Sequence, residues 1–68
     1  MSQASKKLGL KIRSFRTELS MTQAQFAKKL KVDTAHLSNL ENGNKNPTID
    51  TIEKMAKALG ASIEEIIV

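Results

Sequence analysis

The sequence predicts an all-α domain built from five short helices, and three observations support this fold class. Apolar residues recur three, four and seven positions apart within most segments, which is the spacing of one helix face. Residues typical of helix starts and stops separate these segments. No stretch has the alternating pattern and tight turn of a β-hairpin. Because the chain has 68 residues and no cysteine, we expect one domain, stabilised by helix packing without disulfides or thiolate-bound metal.

The first two helices are predicted near residues 5–19 and 23–30. The first helix carries one apolar stripe, formed by Leu8, Ile12, Phe15 and Leu19. Thr22 is expected to begin the second helix, because Gln25 three positions later completes a capping box. The core face of the second helix is expected to consist of Phe26, Ala27 and Leu30.

The third helix is predicted near residues 34–41, only three residues after the second. Asp33 is a suitable N-cap residue, and Leu37 and Leu40 are expected to share the inward face. The dipeptide Asn42-Gly43 then provides the stop signal.

The fourth and fifth helices are predicted near residues 49–59 and 62–67. Thr48 follows the only proline and can cap the fourth helix, while Gly60 stands where helices often end in a left-handed residue. Ser62 and Glu65 form a second capping box. The residues of the fourth helix expected to face inward are Ile49, Ile52, Met55, Ala56 and Leu59.

Two short helices joined by three residues, the second rich in small polar side chains, indicate a helix-turn-helix. In that motif, short hydrogen-bonding side chains on the second helix reach base edges in the major groove of DNA. The first helix of the pair begins with Thr22 and Gln23, whose backbone N–H groups and amide can bind a phosphate.

The charge of the chain is divided unevenly between its two halves. Residues 1–31 hold eight basic residues against one acidic residue, a net charge of +7, whereas residues 32–68 hold three against six, a net charge of −3. This division favours a polyanionic partner on one side of the molecule. A solvated basic face without a partner would have the same composition.

The chain resembles the phage-repressor (Cro-like, Xre) helix-turn-helix family over nearly its whole length. The matching segments are Ile12-Arg13 with Arg16, Met21-Thr22-Gln23, Phe26-Ala27, residues 37–43, Asn46-Pro47-Thr48 and residues 56–60. The resemblance implies a compact five-helix, lambda-repressor-like domain that binds double-stranded DNA. It also implies that the protein acts as a homodimer on a pseudo-palindromic operator.

The resemblance also implies roles for particular residues. Base contacts are expected from Thr34, Ala35 and Asn39, with Ser38 as a further candidate. Phosphate contacts are expected from Gln23, Asn42 and Lys45. A structural ion pair is expected between Arg16 and Glu41.

Three residues depart from the family pattern. Lys31 and Ser20 stand where the family often has glycine, and we predict a positive φ at Lys31, where a non-glycine residue costs about 1–2 kcal/mol. Ala35 stands where larger polar residues are common, so it offers only a methyl group, suited to a thymine methyl. Direct readout is then expected to depend mainly on Thr34 and Asn39.

His36 is the only side chain of the sequence with an ordinary pKa near neutral pH. One interpretation makes it a base or phosphate contact with pH-dependent affinity. The other makes it a partly exposed helix residue with no special role.

The C-terminal residues are unusually apolar for so small a domain. Ile63 and Ile66 can pack against the first and fourth helices, which leaves Ile67 and Val68 without a place in the core. We therefore predict a two-fold dimer interface that includes Ile67 and Val68. A frayed tail, or one buried within its own chain, is the alternative.

Of three classes of function, the sequence favours a DNA-binding regulator. A free-standing regulator, typical of phage or plasmid repressors, restriction–modification controllers or antitoxins, accounts for the motif best, and a fragment of a longer repressor is an alternative. A protein-interaction module of the antitoxin type, with secondary DNA binding, is the second hypothesis. Catalysis and metal binding are not expected, because one histidine and scattered carboxylates form no pair, triad or ligand cluster.

The expected surroundings of the protein follow from its composition. Residues 1–7 are polar and basic with no apolar segment behind them, and no apolar run is long enough to cross a membrane. We therefore expect a cytoplasmic protein without membrane contact. No cofactor and no small-molecule effector site is evident in the sequence.

Overall fold

The structure is a computed structural model, and the part of the chain that it describes folds into five helices joined by short turns and loops. This part comprises the backbone of residues 3–67 and the side chains of residues 5–67. The all-α prediction is confirmed: no residue in this range lies in a strand. No helix in the same range is long and apolar enough to span a bilayer. The helices are α1 (Gln3–Glu18), α2 (Gln23–Leu30), α3 (Thr34–Glu41), α4 (Ile49–Leu59) and α5 (Ile63–Ile67).

All five helices contribute to one hydrophobic core. Each helix supplies one of the largest fully buried side chains, in chain order Ile12, Phe26, Leu37, Met55 and Ile66. Burial of such side chains is the main favourable term in folding, and each contributes about 1.5–3 kcal/mol relative to exposure. Because no helix within residues 3–67 is longer than 16 residues, the helices depend on this shared core more than on their own propensity.

The predicted helix starts agree with the caps in the structure. Thr22 accepts a hydrogen bond from the backbone N–H of Gln25 at 3.1 Å, and the Gln25 side chain accepts one from the N–H of Thr22 at 2.8 Å. Ser62 and Glu65 form the same reciprocal pair at 3.2 and 3.0 Å. Asp33 occupies the N-cap position of α3 with extended backbone, but its side chain makes no capping hydrogen bond.

The structure corrects two residues of the predicted core. Helix α1 ends at Glu18, so Leu19 falls in the following turn and is 51% exposed. Ile49 is the first residue of α4 and is 68% exposed, whereas Ile52 one turn later is buried. In both cases the apolar spacing continues beyond the point where neighbouring helices cover the stripe, and spacing alone does not reveal where that cover ends.

Two helices end in a left-handed residue that is not glycine. Lys31 has φ of 60°, as predicted, and Ser20 after α1 has φ of 58°. At Lys31 the turn is closed by hydrogen bonds from the N–H of Lys31 to the carbonyl of Lys28 and from the N–H of Val32 to the carbonyl of Ala27. These bonds satisfy carbonyls that the helix end would leave unpaired. The turn therefore reverses the chain sharply between α2 and α3.

Gly9 allows α1 to cross close to the end of α3. A β-carbon placed on Gly9 would lie 2.4 Å from the carbonyl oxygen of Glu41 and 2.6 Å from that of Leu40. Since those are backbone atoms, the contact requires a residue without a side chain. Gly9 has no role that local sequence patterns predict, because its partners lie more than 30 residues away in the chain. The crossing fixes the C-terminal end of α3 against α1.

Candidate nucleic-acid interface

Helix α3 is held by its apolar face and presents its polar face outward. Leu37 is fully buried and Leu40 is 3% exposed, so they anchor one side of the helix. The residues predicted to contact bases lie one and four positions apart, a spacing that places them together on the opposite side. Thr34 and Ala35 are exposed, and Ser38 and Asn39 are half-buried. The structure thus brings all four predicted base contacts to one face of α3.

The side chains of this face are open to a ligand to different degrees. Asn39 makes no side-chain hydrogen bond within the described residues, so its amide can both donate and accept. Ser38 Oγ lies 3.5 Å from the Asn42 amide nitrogen, a long contact that a stronger partner would replace. Thr34 offers a hydroxyl and Ala35 a methyl at the start of the helix. This combination of short donors, acceptors and a methyl matches the groups on base edges in the major groove.

A buried ion pair connects α1 to α3. Nε of Arg16 donates to Oε2 of Glu41 at 2.6 Å, and a terminal nitrogen of Arg16 donates to Oε1 at 3.1 Å. The other terminal nitrogen donates to the carbonyl of Met21 at 2.7 Å, in the turn after α1. The side chains are only 9% and 1% exposed. This is the pair that the resemblance implied, and its burial and two-pronged geometry favour a structural role over a weak surface pair.

Gln23 joins this ion pair and so links α2 to the same network. Its amide nitrogen donates to Oε1 of Glu41 at 3.0 Å, and the side chain is half-buried. The resemblance implied that this amide contacts a DNA phosphate. In the structure one of the two amide N–H groups is already engaged, and the second N–H is the one left for a phosphate. Glu41 thereby holds α1, α2 and α3 in one arrangement.

The loop after α3 carries the remaining predicted phosphate contacts. Asn42 ends α3, and both Asn42 and Lys45 are exposed. Gly43 has φ of 75°, and the N–H of Asn44 donates to the carbonyl of Asn39 at 2.9 Å. These features fix the start of the loop directly to the end of α3.

The first turns of α1 lie against this loop, which the sequence analysis did not predict. A β-carbon on Gly43 would lie 2.8 Å from the Cα of Lys6. Ser5 is buried and its hydroxyl donates a hydrogen bond to the side-chain oxygen of Asn46. Lys6 is therefore an exposed cation beside Gly43, at the start of this loop. Helical periodicity could not reveal this, because the contact joins residues 37 positions apart.

Two further residues from the sequence analysis have clear positions. His36 is half-buried on α3. On α5, Ile66 is 1% exposed and Ile63 is half-buried, as expected, whereas Ile67 is 55% exposed. Val68 lies outside the described residues.

Comparison with known proteins identifies the family. The Helix-turn-helix family model HTH_3 matches residues 12–66. Among curated relatives, the immunity repressor protein of Bacillus phage phi105 is 33% identical over 60 residues, which are 88% of this chain and 42% of the repressor. The chain thus spans less than half the length of that relative.

Solved structures agree with this assignment. The clp gene regulator ClgR from C. glutamicum superposes with a TM-score of 0.90 at 30% identity, covering 97% of this chain and 86% of ClgR. The biofilm regulator SinR, in a structure with DNA, superposes with a TM-score of 0.84 at 27% identity, covering 90% of this chain and 98% of SinR. The chain belongs to the phage-repressor-like branch of the Helix-turn-helix family and is a DNA-binding transcriptional regulator.

Proposed function

We propose that the protein represses transcription as a homodimer bound to a pseudo-palindromic operator, with α3 in the major groove. The polar face of α3 carries this proposal, because a buried ion pair and a close helix crossing hold that face in a fixed position. The superposition with SinR, whose structure includes DNA, supports DNA binding by this fold. In this proposal the chain acts by binding and not by catalysis.

Specificity in this proposal comes from three polar side chains and one methyl group. Asn39 pairs with an adenine through both amide atoms, which is a discriminating contact worth about 1–3 kcal/mol. Thr34 donates to a base acceptor, Ala35 packs on a thymine methyl, and Ser38 adds a hydroxyl beside Asn39. Few side chains therefore read the sequence, and bases outside their reach contribute through DNA shape.

Positioning on the duplex comes from phosphate contacts at both ends of the motif. Gln23 lies at the start of α2, and Asn42 and Lys45 lie just after α3. Lys6 joins them, because it is exposed beside Gly43. Such contacts fix the register of the protein without reading the sequence, and they make binding depend on salt.

The size of the domain supports the presence of a second copy on the operator. The structure extends 27 × 24 × 21 Å, whereas successive half-sites on one side of the duplex are about 34 Å apart. One copy cannot reach both half-sites, and a two-fold pair of copies can. The exposed side chain of Ile67 supports a dimer contact at α5, and Val68 extends the same apolar sequence.

Selection from random duplex DNA at roughly physiological salt tests the proposal. The expected result is a palindrome, in which Asn39→Ala relaxes the preference at one position of each half-site and Lys45→Ala weakens binding to all sequences alike. Lys28→Ala is the matched control, because Lys28 is exposed on α2 outside the proposed contacts. Recovery of no common motif would contradict sequence-specific regulation.

One observation favours a second candidate function, an antitoxin-like interaction module. Leu10 is 63% exposed on α1 and offers an apolar contact point to a protein partner. If the duplex selection yields only general, salt-sensitive binding, this candidate becomes the better explanation. A pull-down with the wild-type chain and with Leu10→Ser would then identify a partner that depends on this side chain.

A further inference from the structure

An open groove with an apolar floor lies between the C-terminal end of α2 and one side of helix α4. Leu30 and Leu40 form the deepest part of its lining and are 8% and 3% exposed. Val32, from the turn after α2, and Ala58, from α4, are half-buried and complete the apolar lining. None of these four side chains belongs to the polar face of α3 described above.

Four lysines surround the groove, and no acidic residue lines it. They are Lys29, Lys31, Lys54 and Lys57, and all four are exposed. The left-handed turn places Lys31 at the rim of the groove. A glycine at this position would have less backbone strain, but it would provide no positive charge. Four like charges around one groove repel each other, and an anionic occupant would relieve that repulsion. The apolar floor adds a second requirement, which is an apolar side chain beside the acidic group.

The chain carries a surface of this kind on α5. Glu64 and Ile67 are three positions apart, so they are neighbours on one helix face, and both are exposed. Helix α5 packs on α1 and α4, whereas the groove opens on the α2 side of α4. The face of α5 that carries Glu64 and Ile67 is therefore not packed against the groove of its own chain.

We propose that α5 of one copy docks in the lysine groove of a second copy. Ile67 lies on the apolar floor, and Glu64 faces the lysines on the rim. Two-fold symmetry repeats the same contact in the opposite direction, so each interface contains two occupied grooves. This inference rests on the homodimer of the proposed function and names the surface on which its α5 docks.

Cysteine cross-linking tests the contact directly, since the chain has no cysteine of its own. One variant carries Ile67→Cys, and separate variants carry Thr51→Cys or Ala58→Cys in the α4 wall of the groove. Mild oxidation of mixed variants is expected to link unlike chains, because a disulfide requires Cα atoms within about 7 Å. Ile49→Cys is the control, since Ile49 is exposed on α4 and does not line the groove. Linkage of Ile67→Cys only to itself, or equally to the control, overturns the proposal.

Charge reversal provides an independent test by sedimentation equilibrium. Glu64→Lys alone, or Lys54→Glu with Lys57→Glu, is expected to weaken the dimer by about tenfold or more, because like charges then meet in both grooves. Combining all three changes is expected to restore the dimer to within about threefold of wild type. Lys28→Glu, outside the groove, leaves the dimer unchanged. If the combined variant is weaker than either parent, the charge pairing is wrong.

The two proposals fail in different ways. If the wild-type chain selects a palindrome and sediments as a dimer, but neither groove cysteine links to Ile67→Cys, the groove is wrong and the regulator stands. If the wild-type chain remains monomeric at micromolar concentration both alone and on a selected palindrome, the homodimer and the groove contact are both wrong. Thermal melts of each variant show whether it is folded, so lost dimerisation is separated from lost structure.

Discussion

At the scale of single residues, the buried Glu41 does more than any other polar side chain to organise the site. It accepts hydrogen bonds from Arg16 on α1 and from Gln23 on α2, while it lies in the last turn of α3 itself. Burial makes the carboxylate costly unless every partner is in place. The position of the polar face of α3 therefore depends on contacts that Glu41 makes with α1 and α2.

Glu41→Gln is expected to lower the melting temperature by more than about 10 °C. The amide keeps the shape of the side chain but leaves the Arg16 guanidinium buried without a counter-charge, which costs about 3–5 kcal/mol. Replacing both members, with Arg16→Met and Glu41→Leu, is expected to cost less than this single change, because no unpaired charge remains. Thermal denaturation followed by circular dichroism measures both. A single variant as stable as wild type would show that the pair contributes nothing.

Gly9→Ala is expected to destabilise the domain by about 1–3 kcal/mol, although alanine favours helix. The added methyl would overlap backbone atoms of Leu40 and Glu41, which cannot rotate away as a side chain would. Leu10→Ala is the control, since Leu10 is exposed at the next position of α1. Denaturant titration measures the unfolding midpoint of both variants. An unchanged midpoint for Gly9→Ala would contradict the prediction and would mean that α1 moves away from α3 without loss of stability.

At the scale of elements, the sequence predicted local structure well and packing less well. Capping pairs such as Thr22 with Gln25 act over three residues, so their chemistry is visible in the sequence and locates helix starts. The exposure of Ile49 and the crossing at Gly9 depend instead on partners far along the chain. Periodicity predicted which residues of α3 face outward. It did not predict the position of Lys6 beside the loop after α3, or the groove surrounded by lysines.

Ser20→Gly and Lys31→Gly are each expected to stabilise the domain by about 0.5–1 kcal/mol. Glycine removes the left-handed strain, which costs the folded state about 1–2 kcal/mol. Part of this stabilisation is lost, because glycine also increases the conformational entropy of the unfolded chain. Lys29→Gly, inside α2, is the control and should cost about 1 kcal/mol. Equilibrium unfolding in urea compares the three variants. Ser20→Gly is the cleaner test, because Ser20 does not line the groove. A loss of stability there would contradict the strain argument.

At the scale of the whole molecule, the lysines fall into two groups with different proposed contacts. The cations beside the end of α3, Lys6 and Lys45, are available to phosphates, while the lysines around the groove face the acidic end of α5 in the proposed dimer. Each group takes lysines from both halves of the sequence, so the two surfaces of the fold do not follow the charge division of the sequence. Only the first of them should contribute directly to the salt dependence of DNA binding.

Lys6→Ala tests this separation through the salt dependence of operator affinity. Each phosphate contact changes the slope of log K against log salt concentration by about 0.9. Because the proposed dimer holds two copies of Lys6, the variant is expected to reduce the slope by about 1.8 on a full palindrome and about 0.9 on a half-site. Lys7→Ala is the matched control, being exposed at the neighbouring position and turned about 100° around α1. Fluorescence anisotropy at several salt concentrations gives both slopes. Equal slopes for Lys6→Ala and wild type would exclude Lys6 from the phosphate contacts and leave Gln23, Asn42 and Lys45 to position α3.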